Sequence, residues 1–281
     1  MGGYSMTRNG TYVLTAISAL LFVALCWIFA DGLLIGPIWN SASWIDSPLV
    51  TWVLLLVIIA AGVYQASRLP ESGVPLPLPS DDATPGQTDD PRLWRLLMGN
   101  VLFALIWMPL RFFVGREWFS SGAGKVTNPA WMDGGAALRG YFEGAVAIPE
   151  GGRPAITYAW FRDFLQFMLD NGWYTWFAKV VAIGEVLVGL GLIVGALVGL
   201  AAFFGTVMNV SFGLAGTASS NPVLFGLSVL LVLAWRVAGY WGIDRAIFQV
   251  LGIRPNPWDA ATPAAGAGRM ADRRAPAGAR R

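Results

Sequence analysis

The sequence predicts an all-α integral membrane protein with six transmembrane helices. Of its 281 residues, 56% are hydrophobic and only 13% are charged, whereas soluble domains average about 25% charged residues. The mean hydropathy is +0.56, and 14 tryptophans are present. A membrane span needs about 20 mostly apolar residues, and six stretches approach that length.

The predicted spans are separated by short polar intervals, with one long exception between the third and fourth. They cover approximately residues 12–30, 49–66, 94–114, 173–194, 197–215 and 223–240. We interpret the first as a retained span, because its apolar stretch is longer than the core of a usual signal peptide. We expect Pro109 to kink the third span, since proline removes one backbone hydrogen bond of a helix.

The chain divides into two predicted membrane modules. Residues 1–68 form an N-terminal two-span module, and residues 92–254 form a four-helix domain. Between them, the interval 69–91 is rich in proline and aspartate, so it is predicted to be a flexible linker.

Two further segments are predicted outside the spans. The polar segment 116–172 contains Trp160, Phe164 and Met168 at four-residue spacing, which predicts an amphipathic helix at the outer membrane surface or on the bundle. Residues 255–281 are rich in alanine, proline, glycine and arginine, and we expect a disordered basic tail.

The distribution of lysine and arginine predicts the orientation in the membrane. With both termini inside, the inner segments contain 11 arginines, and the two short outer loops at residues 31–48 and 216–222 contain no lysine or arginine. We therefore expect a multi-pass protein of a bacterial plasma membrane with both termini in the cytoplasm, surrounded by a lipid bilayer.

Composition excludes several function classes. Histidine is absent, and a single cysteine, Cys26, cannot form a redox pair or hold an iron–sulfur cluster. We accordingly expect no haem, iron–sulfur or metal site in this chain, and any redox chemistry requires a diffusible quinone or a partner subunit. The formal net charge of +2 is too small to predict nucleic acid binding.

Glu185 is the strongest candidate for chemistry, because a carboxylate inside a predicted span must be protonated or paired. Candidate cations are Arg111, Lys179 and Arg236, although Lys179 is better explained by reaching the outer surface. One interpretation is a polar cavity that binds an anion or a quinone head group, with Glu185 handling protons. The other is a structural ion pair between helices. Asn209, also within a span, either bonds between helices or contacts a ligand.

Four motifs in the second module resemble the DoxX family of membrane proteins. They lie in order at residues 111–125, 184–195, 208–222 and 234–245. The first, Arg111 with Gly115, Gly122 and Lys125, resembles the family's opening Arg…Gly…Gly-x-x-Lys signature. The second begins with Gly184-Glu185. Together the motifs span a little over half the chain, whereas the first two predicted spans lie outside the usual four-helix core.

The resemblance implies a four-helix bundle and a redox function. The family includes the small subunit of thiosulfate:quinone oxidoreductase, which oxidises thiosulfate to tetrathionate and reduces a membrane quinone. On this hypothesis Glu185 and Arg111 are catalytic residues. The substrate-binding candidates are Arg116, Lys125, Asn209 and Arg236.

Two alternatives remain open from the sequence. The chain could be a non-catalytic membrane subunit that anchors or organises a larger redox or energy-converting complex, and under either hypothesis we expect other protein subunits as partners. A transporter is disfavoured, because no inverted repeat or paired set of broken helices is evident.

Overall fold

The computed structural model describes residues 5–30, 44–76 and 90–253, and its architecture is mostly helical, at 76%. The predicted basic tail and residues 77–89 of the predicted linker lie outside the described residues. The helices are α1 (Arg8–Phe29), α2 (Pro48–Arg68), α3 (Arg92–Gly99), α4 (Trp107–Val126), α5 (Pro129–Met132), α6 (Ala136–Val146), α7 (Ala159–Asp170), α8 (Tyr174–Val194), α9 (Val198–Leu214), α10 (Asn221–Leu233), α11 (Trp235–Ala238) and α12 (Asp244–Val250). Two 3₁₀ helices, Trp44–Asp46 and Val101–Ile106, and two short strands, β1 (Ser5–Met6) and β2 (Val74–Pro75), complete the described elements.

The prediction of six spans is too high for the described part of the chain. Three helices, α1, α2 and α8, are long and apolar enough to cross a membrane, and a fourth span results if α3 and the helical residues 101–126 count as one. The two other predicted spans correspond to shorter helices: α9 has 17 residues and α10 has 13. At 1.5 Å per residue these measure about 26 and 20 Å, less than the roughly 30 Å of a hydrocarbon core.

The bend in the third predicted span is at Asn100 and not at Pro109. The helical segments on either side of Asn100 meet at 76°, and the Asn100 side chain accepts a hydrogen bond from the backbone N–H of Leu102. Pro109 is the third residue of α4, directly after the 3₁₀ helix at residues 101–106, and residues 101–126 continue as one helical segment across it. The proline is therefore tolerated without a kink.

Helix α4 is the centre of the molecule, since every residue from 107 to 116 is buried. It packs against α8 on one side and against α1 on the other, where the ring of Phe22 meets the ring of Phe112 edge to face. The N-terminal module therefore shares one continuous apolar core with the second module.

Glycines allow α4 and α8 to approach closely. A Cβ atom on Gly189 of α8 would collide with the backbone of Phe119 in α4, and a Cβ on Gly122 of α4 would collide with the backbone of Val186 in α8. Small residues permit such close contact between membrane helices, and here they fix the register of the pair.

The predicted linker begins as an ordered extension of the N-terminal module. Strands β1 and β2 pair antiparallel, with Met6 opposite Val74. The Arg8 Nε atom donates a hydrogen bond to the carbonyl of Leu69, which is only 1% exposed. These contacts thus join the N-terminal end of α1 to the C-terminal end of α2.

The predicted outer segment folds into α5, α6 and α7, which pack on the beginning of α8 around a second apolar cluster. Helix α7 is amphipathic, but its buried face is Phe161, Leu165 and Met168. Trp160 and Phe164, two of the three residues whose spacing predicted the apolar face, are exposed.

Candidate functional site

Glu185 lies midway along α8 on the stripe that faces α4. Its side chain is fully buried, and its neighbours on the stripe are Ala182 and Gly189. Gly122 of α4 packs against the Cβ of Glu185, so no bulky side chain separates the two helices there. The close α4–α8 contact therefore places this carboxylate between the two helices.

Lys125, from the last turn of α4, is the partner of Glu185. Its Nζ atom lies 2.5 Å from Oε2 of Glu185 and also donates a hydrogen bond of 2.6 Å to the Ser121 hydroxyl. The same ammonium group lies 5.2 Å from the centre of the Trp131 ring. The Lys125 side chain is 18% exposed. The ion pair thus extends from the protein interior towards solvent through the lysine.

Lys125 is not among the cations that the sequence suggested as partners of Glu185, which were Arg111, Lys179 and Arg236. Lys179 and Arg236 are both exposed, and the Arg236 guanidinium lies over the ring of Trp235. The other oxygen of Glu185, Oε1, is buried and has no hydrogen-bond partner among the described residues. Because that oxygen has essentially no accessible surface, it can hold a proton but does not face solvent.

An aromatic cavity of about 160 Å³ lies between α6, α7, α8 and α9. The aromatic side chains that line it are Tyr141, Phe142, Phe161, Phe164, Phe177 and Phe212. Val181, one turn before Glu185 on α8, also lines it, and Phe212 stacks on Trp118 of α4. The cavity therefore adjoins the part of the bundle that contains Glu185.

Tyr141, together with Ser211, provides the polar side chains of the aromatic cavity. Its hydroxyl lies 2.8 Å from the Thr217 hydroxyl. Burial raises the pKa of the Tyr141 phenol above its ordinary value, and the hydrogen bond with Thr217 opposes that rise. The phenol accordingly remains protonated at neutral pH and can donate a hydrogen bond.

Arg111 lies at the C-terminal end of α8, away from the ion pair. It is 1% exposed, and it donates hydrogen bonds to the carbonyls of Ala238 and Trp241. Its guanidinium lies against Gly195, ten residues after Glu185 and hence about 15 Å along the helix axis. The structure therefore separates Arg111 from Glu185, although the sequence suggested that the two residues could pair.

Asp244 completes this second polar centre and was not a candidate in the sequence analysis. Its carboxylate accepts hydrogen bonds from the backbone N–H groups of Leu197 and Val198, which begin α9. Burial raises the pKa of the Asp244 carboxyl, while these hydrogen bonds and Arg111 oppose the rise. Asp244 lies within the 234–245 motif. The spacing of that motif does not indicate that Asp244 caps a helix that begins 46 residues earlier.

Arg116, a predicted substrate-binding residue, contacts the N-terminal module. It is fully buried between α4 and the N-terminal module, where its Nη1 atom donates to the Thr51 hydroxyl. Its Nε atom lies 3.6 Å from Asp46, whose other oxygen accepts a hydrogen bond from Ser120. Arg111, Arg116 and Lys125 thus occupy three separate environments and do not converge on one anion.

Asn209 is 3% exposed and faces the interior of the bundle from α9. Its amide oxygen and nitrogen both lack hydrogen-bond partners among the described residues. Asn209 also lines a second cavity, of about 530 Å³, near the turn between α9 and α10. Neither amide atom has appreciable accessible surface, so the amide is enclosed within the bundle beside this cavity.

Side chains that bind metal ions do not cluster in the described residues: no group of three or more His, Cys, Asp or Glu is found there. Cys26 is buried in α1, close enough to Arg116 for an electrostatic interaction. A single buried thiol of this kind gives no metal centre.

Comparison of the chain with protein-family models, with curated proteins and with solved structures finds no match.

Proposed function

We propose that this chain is a DoxX-like membrane redox subunit that binds a quinone in the aromatic cavity. The observation that carries the proposal is the buried Lys125–Glu185 ion pair, whose carboxylate lies about one helical turn along α8 from Val181 in the wall of that cavity. Ionisable groups within membrane helices are costly and commonly mark proton or ligand sites.

The aromatic cavity suits a single six-membered ring. Its volume of about 160 Å³ is close to the roughly 150 Å³ of an apolar cavity that accommodates benzene. Aromatic side chains stack favourably on a planar ring. The Tyr141 hydroxyl can donate a hydrogen bond to a quinone carbonyl, and Phe164, which is 45% exposed, marks where the isoprenoid tail would leave the cavity.

The ion pair can supply protons for quinone reduction. A quinone that accepts two electrons also takes up two protons, and these must cross a region of low dielectric constant. Lys125 contacts both solvent and the buried carboxylate, so a proton can pass from the exterior to Glu185 without exposing the carboxylate to bulk water. Oε1 of Glu185, which has no partner among the described residues, is the atom from which the proton would leave.

Thiosulfate is the electron donor that the DoxX resemblance implies. Two thiosulfate ions each lose one electron and join as tetrathionate, and one quinone takes both electrons and two protons. Because Arg111 and Arg116 are buried in separate contacts, Lys125 alone among the proposed cations can meet an anion near the ion pair. We therefore assign most of the thiosulfate site to a partner subunit.

We further propose that the protein lies in a bacterial plasma membrane with both termini in the cytoplasm. We count the bent segment as one span, which with the three apolar helices makes four crossings, an even number that keeps the ends of the chain on one side. The arginines near both ends of the chain favour the cytoplasmic side.

The test is thiosulfate-dependent quinone reduction by protein extracted gently from its native membrane with partners retained. We expect quinol formation by the wild-type protein, loss of turnover in Glu185→Gln, and loss of quinone binding in Met208→Trp, which fills the aromatic cavity. Lys179→Gln, at an exposed position one and a half turns away on α8, serves as the matched control and should retain activity. Wild-type turnover in both test variants would overturn the proposal.

The non-catalytic alternative is favoured by one observation, the exposed aromatic surface of α7. Trp160, Phe164 and Phe167 are 62%, 45% and 47% exposed, which suits docking to another membrane subunit. Co-purification with a larger assembly in fixed stoichiometry, together with absence of quinol formation by that assembly, would support this function instead.

A further inference from the structure

Five exposed aromatic side chains form one surface that runs from α7 to the start of α8. On α7, positions 160, 164 and 167 are four and three residues apart, so they share one face of the helix. The ring centre of Phe167 lies 5.1 Å from that of Trp173, which in turn lies 6.1 Å from that of Trp176. We call this surface the aromatic stripe. Its members, each between 43% and 62% exposed, are Trp160, Phe164, Phe167, Trp173 and Trp176.

A tight turn fixes the stripe where it passes from α7 to α8. Gly172 has a φ of +64°, a conformation that favours glycine, and the Trp173 N–H donates a hydrogen bond of 2.9 Å to the Met168 carbonyl. This pattern is a common way to end a helix. The position of the stripe on α7 is therefore fixed relative to the first turn of α8.

The stripe lies between two other faces of α7. One is the buried face, which packs on the second apolar cluster. The other is polar and exposed, and consists of Asp163, Gln166 and Asp170. Since successive helical residues are about 100° apart, the stripe lies roughly 100° around the axis from each of these faces. An exposed apolar face next to a polar one is typical of helices that lie in a membrane interface.

Continuity with α8 identifies what the stripe contacts. Helix α8 is long and apolar enough to cross a membrane, and further along it the side chains of Ile183, Leu187 and Leu190 are exposed. Tryptophans at the ends of such spans lie at the level of the lipid head groups. Trp173 and Trp176 therefore mark the membrane interface at the start of α8, and the contact with Trp173 brings Phe167 of α7 to the same level.

We propose that the aromatic stripe inserts into the interfacial layer of the lipid bilayer, so that α7 lies along the membrane surface with its acidic face in water. The exposed charged residues of α7, Asp163 and Asp170, are both negative, so insertion depends on apolar contact and needs no anionic head groups. Because Phe164 also lines the aromatic cavity, that cavity opens towards the membrane.

The test is site-directed spin labelling of the full chain in phosphatidylcholine nanodiscs. Cys26 is the single cysteine and is 1% exposed, so the label attaches to an introduced cysteine and the wild-type chain is the labelling control. Phe167→Cys and Trp160→Cys carry the label on the stripe, and Gln166→Cys carries it on the neighbouring polar face. Collisions of each label are measured with oxygen, which concentrates in lipid, and with a nickel chelate, which stays in water.

We expect the ratio of oxygen to nickel collisions at residues 160 and 167 to exceed that at residue 166 roughly tenfold, since a polar chelate is costly to transfer into an apolar layer. A label at Leu187→Cys calibrates the hydrocarbon core. That residue lies about 21 Å along α8 from Trp173, and its ratio should be the highest of the four.

Three results would overturn the proposal. Ratios at residues 160 and 167 equal to that at residue 166 would show that the stripe faces water. Few collisions with either reagent would show that a protein surface covers it, either another subunit or a second copy of this chain. A low ratio at residue 187 would show that α8 does not cross the bilayer. None of these measurements depends on quinone reduction, so failure here leaves the proposed redox chemistry unaffected.

Discussion

Gly189 of α8 lies directly against the backbone of Phe119 in α4, in a space that admits no Cβ atom. We expect Gly189→Ala to destabilise the protein by about 1–3 kcal/mol, the usual cost of overpacking a close contact. Unfolding in a series of denaturing detergent mixtures measures this change. Gly184→Ala, whose Cβ would have only the Met208 sulfur near it, at 4.0 Å, is the control and should be neutral or slightly stabilising.

The Lys125–Glu185 pair should show strong energetic coupling. Lys125→Met leaves a buried carboxylate without its cation, and breaking a buried ion pair in this way costs about 3–5 kcal/mol. We expect the loss of stability in Lys125→Met to lie at the low end of that range, because Lys125 keeps partial contact with solvent. The double variant Lys125→Met/Glu185→Gln should recover most of the loss. If the free energies of unfolding of the two single variants simply add, the residues do not interact.

Arg111 is expected to stabilise the fold by holding the chain around residues 238–241. Its two hydrogen bonds join α4 to the carbonyls of Ala238 and Trp241. Arg111→Met should therefore accelerate hydrogen exchange at the backbone amides of residues 238–244 and lower the thermal transition. If hydrogen exchange at residues 238–244 of Arg111→Met proceeds at the wild-type rate, Arg111 does not hold this segment.

The stability of the protein should depend on the ionisation of Asp244. Because burial raises the pKa of this carboxyl in the folded state, the native protein binds its proton more tightly than the unfolded chain does. The contribution of Asp244 therefore falls as the pH rises from the unfolded pKa of about 3.9 to the higher folded pKa, and changes little above that.

Comparison of Asp244→Asn with the wild type isolates this contribution. The variant should lack the decrease in stability over that pH interval, while Asp163→Asn, at an exposed position on α7, should keep it. Thermal unfolding between pH 3.5 and 8 at constant ionic strength, a range set to bracket the reference value of about 3.9, gives the two curves. Parallel curves for the wild type and Asp244→Asn would contradict the predicted role.

The sequence predicted the helical class, the amphipathic α7 and a buried position for Glu185, because apolar length and periodicity report directly on those features. It did not predict Lys125 as the partner of Glu185. That contact depends on the register of α4 against α8, which is set by glycines on both helices and leaves no periodic signal.

The sequence also overestimated the number of membrane spans, for a related reason. Hydropathy continues through Ala234 and Gly239, but α10 ends at Leu233, and Asp244 lies against Gly239 and caps the start of α9. An interaction between residues so far apart in sequence cannot be read from a local apolar pattern. Arg111, which a motif marked as a site residue, contacts this same segment.

The short β1–β2 pairing and the Arg8–Leu69 hydrogen bond have a mechanical consequence. They join the start of α1 to the end of α2, so the chain from Ser5 to Pro75 is a closed ring. Tension applied to the chain after Pro75 is carried first by these few bonds. A force on the chain after Pro75 therefore acts on α1 and α2 together.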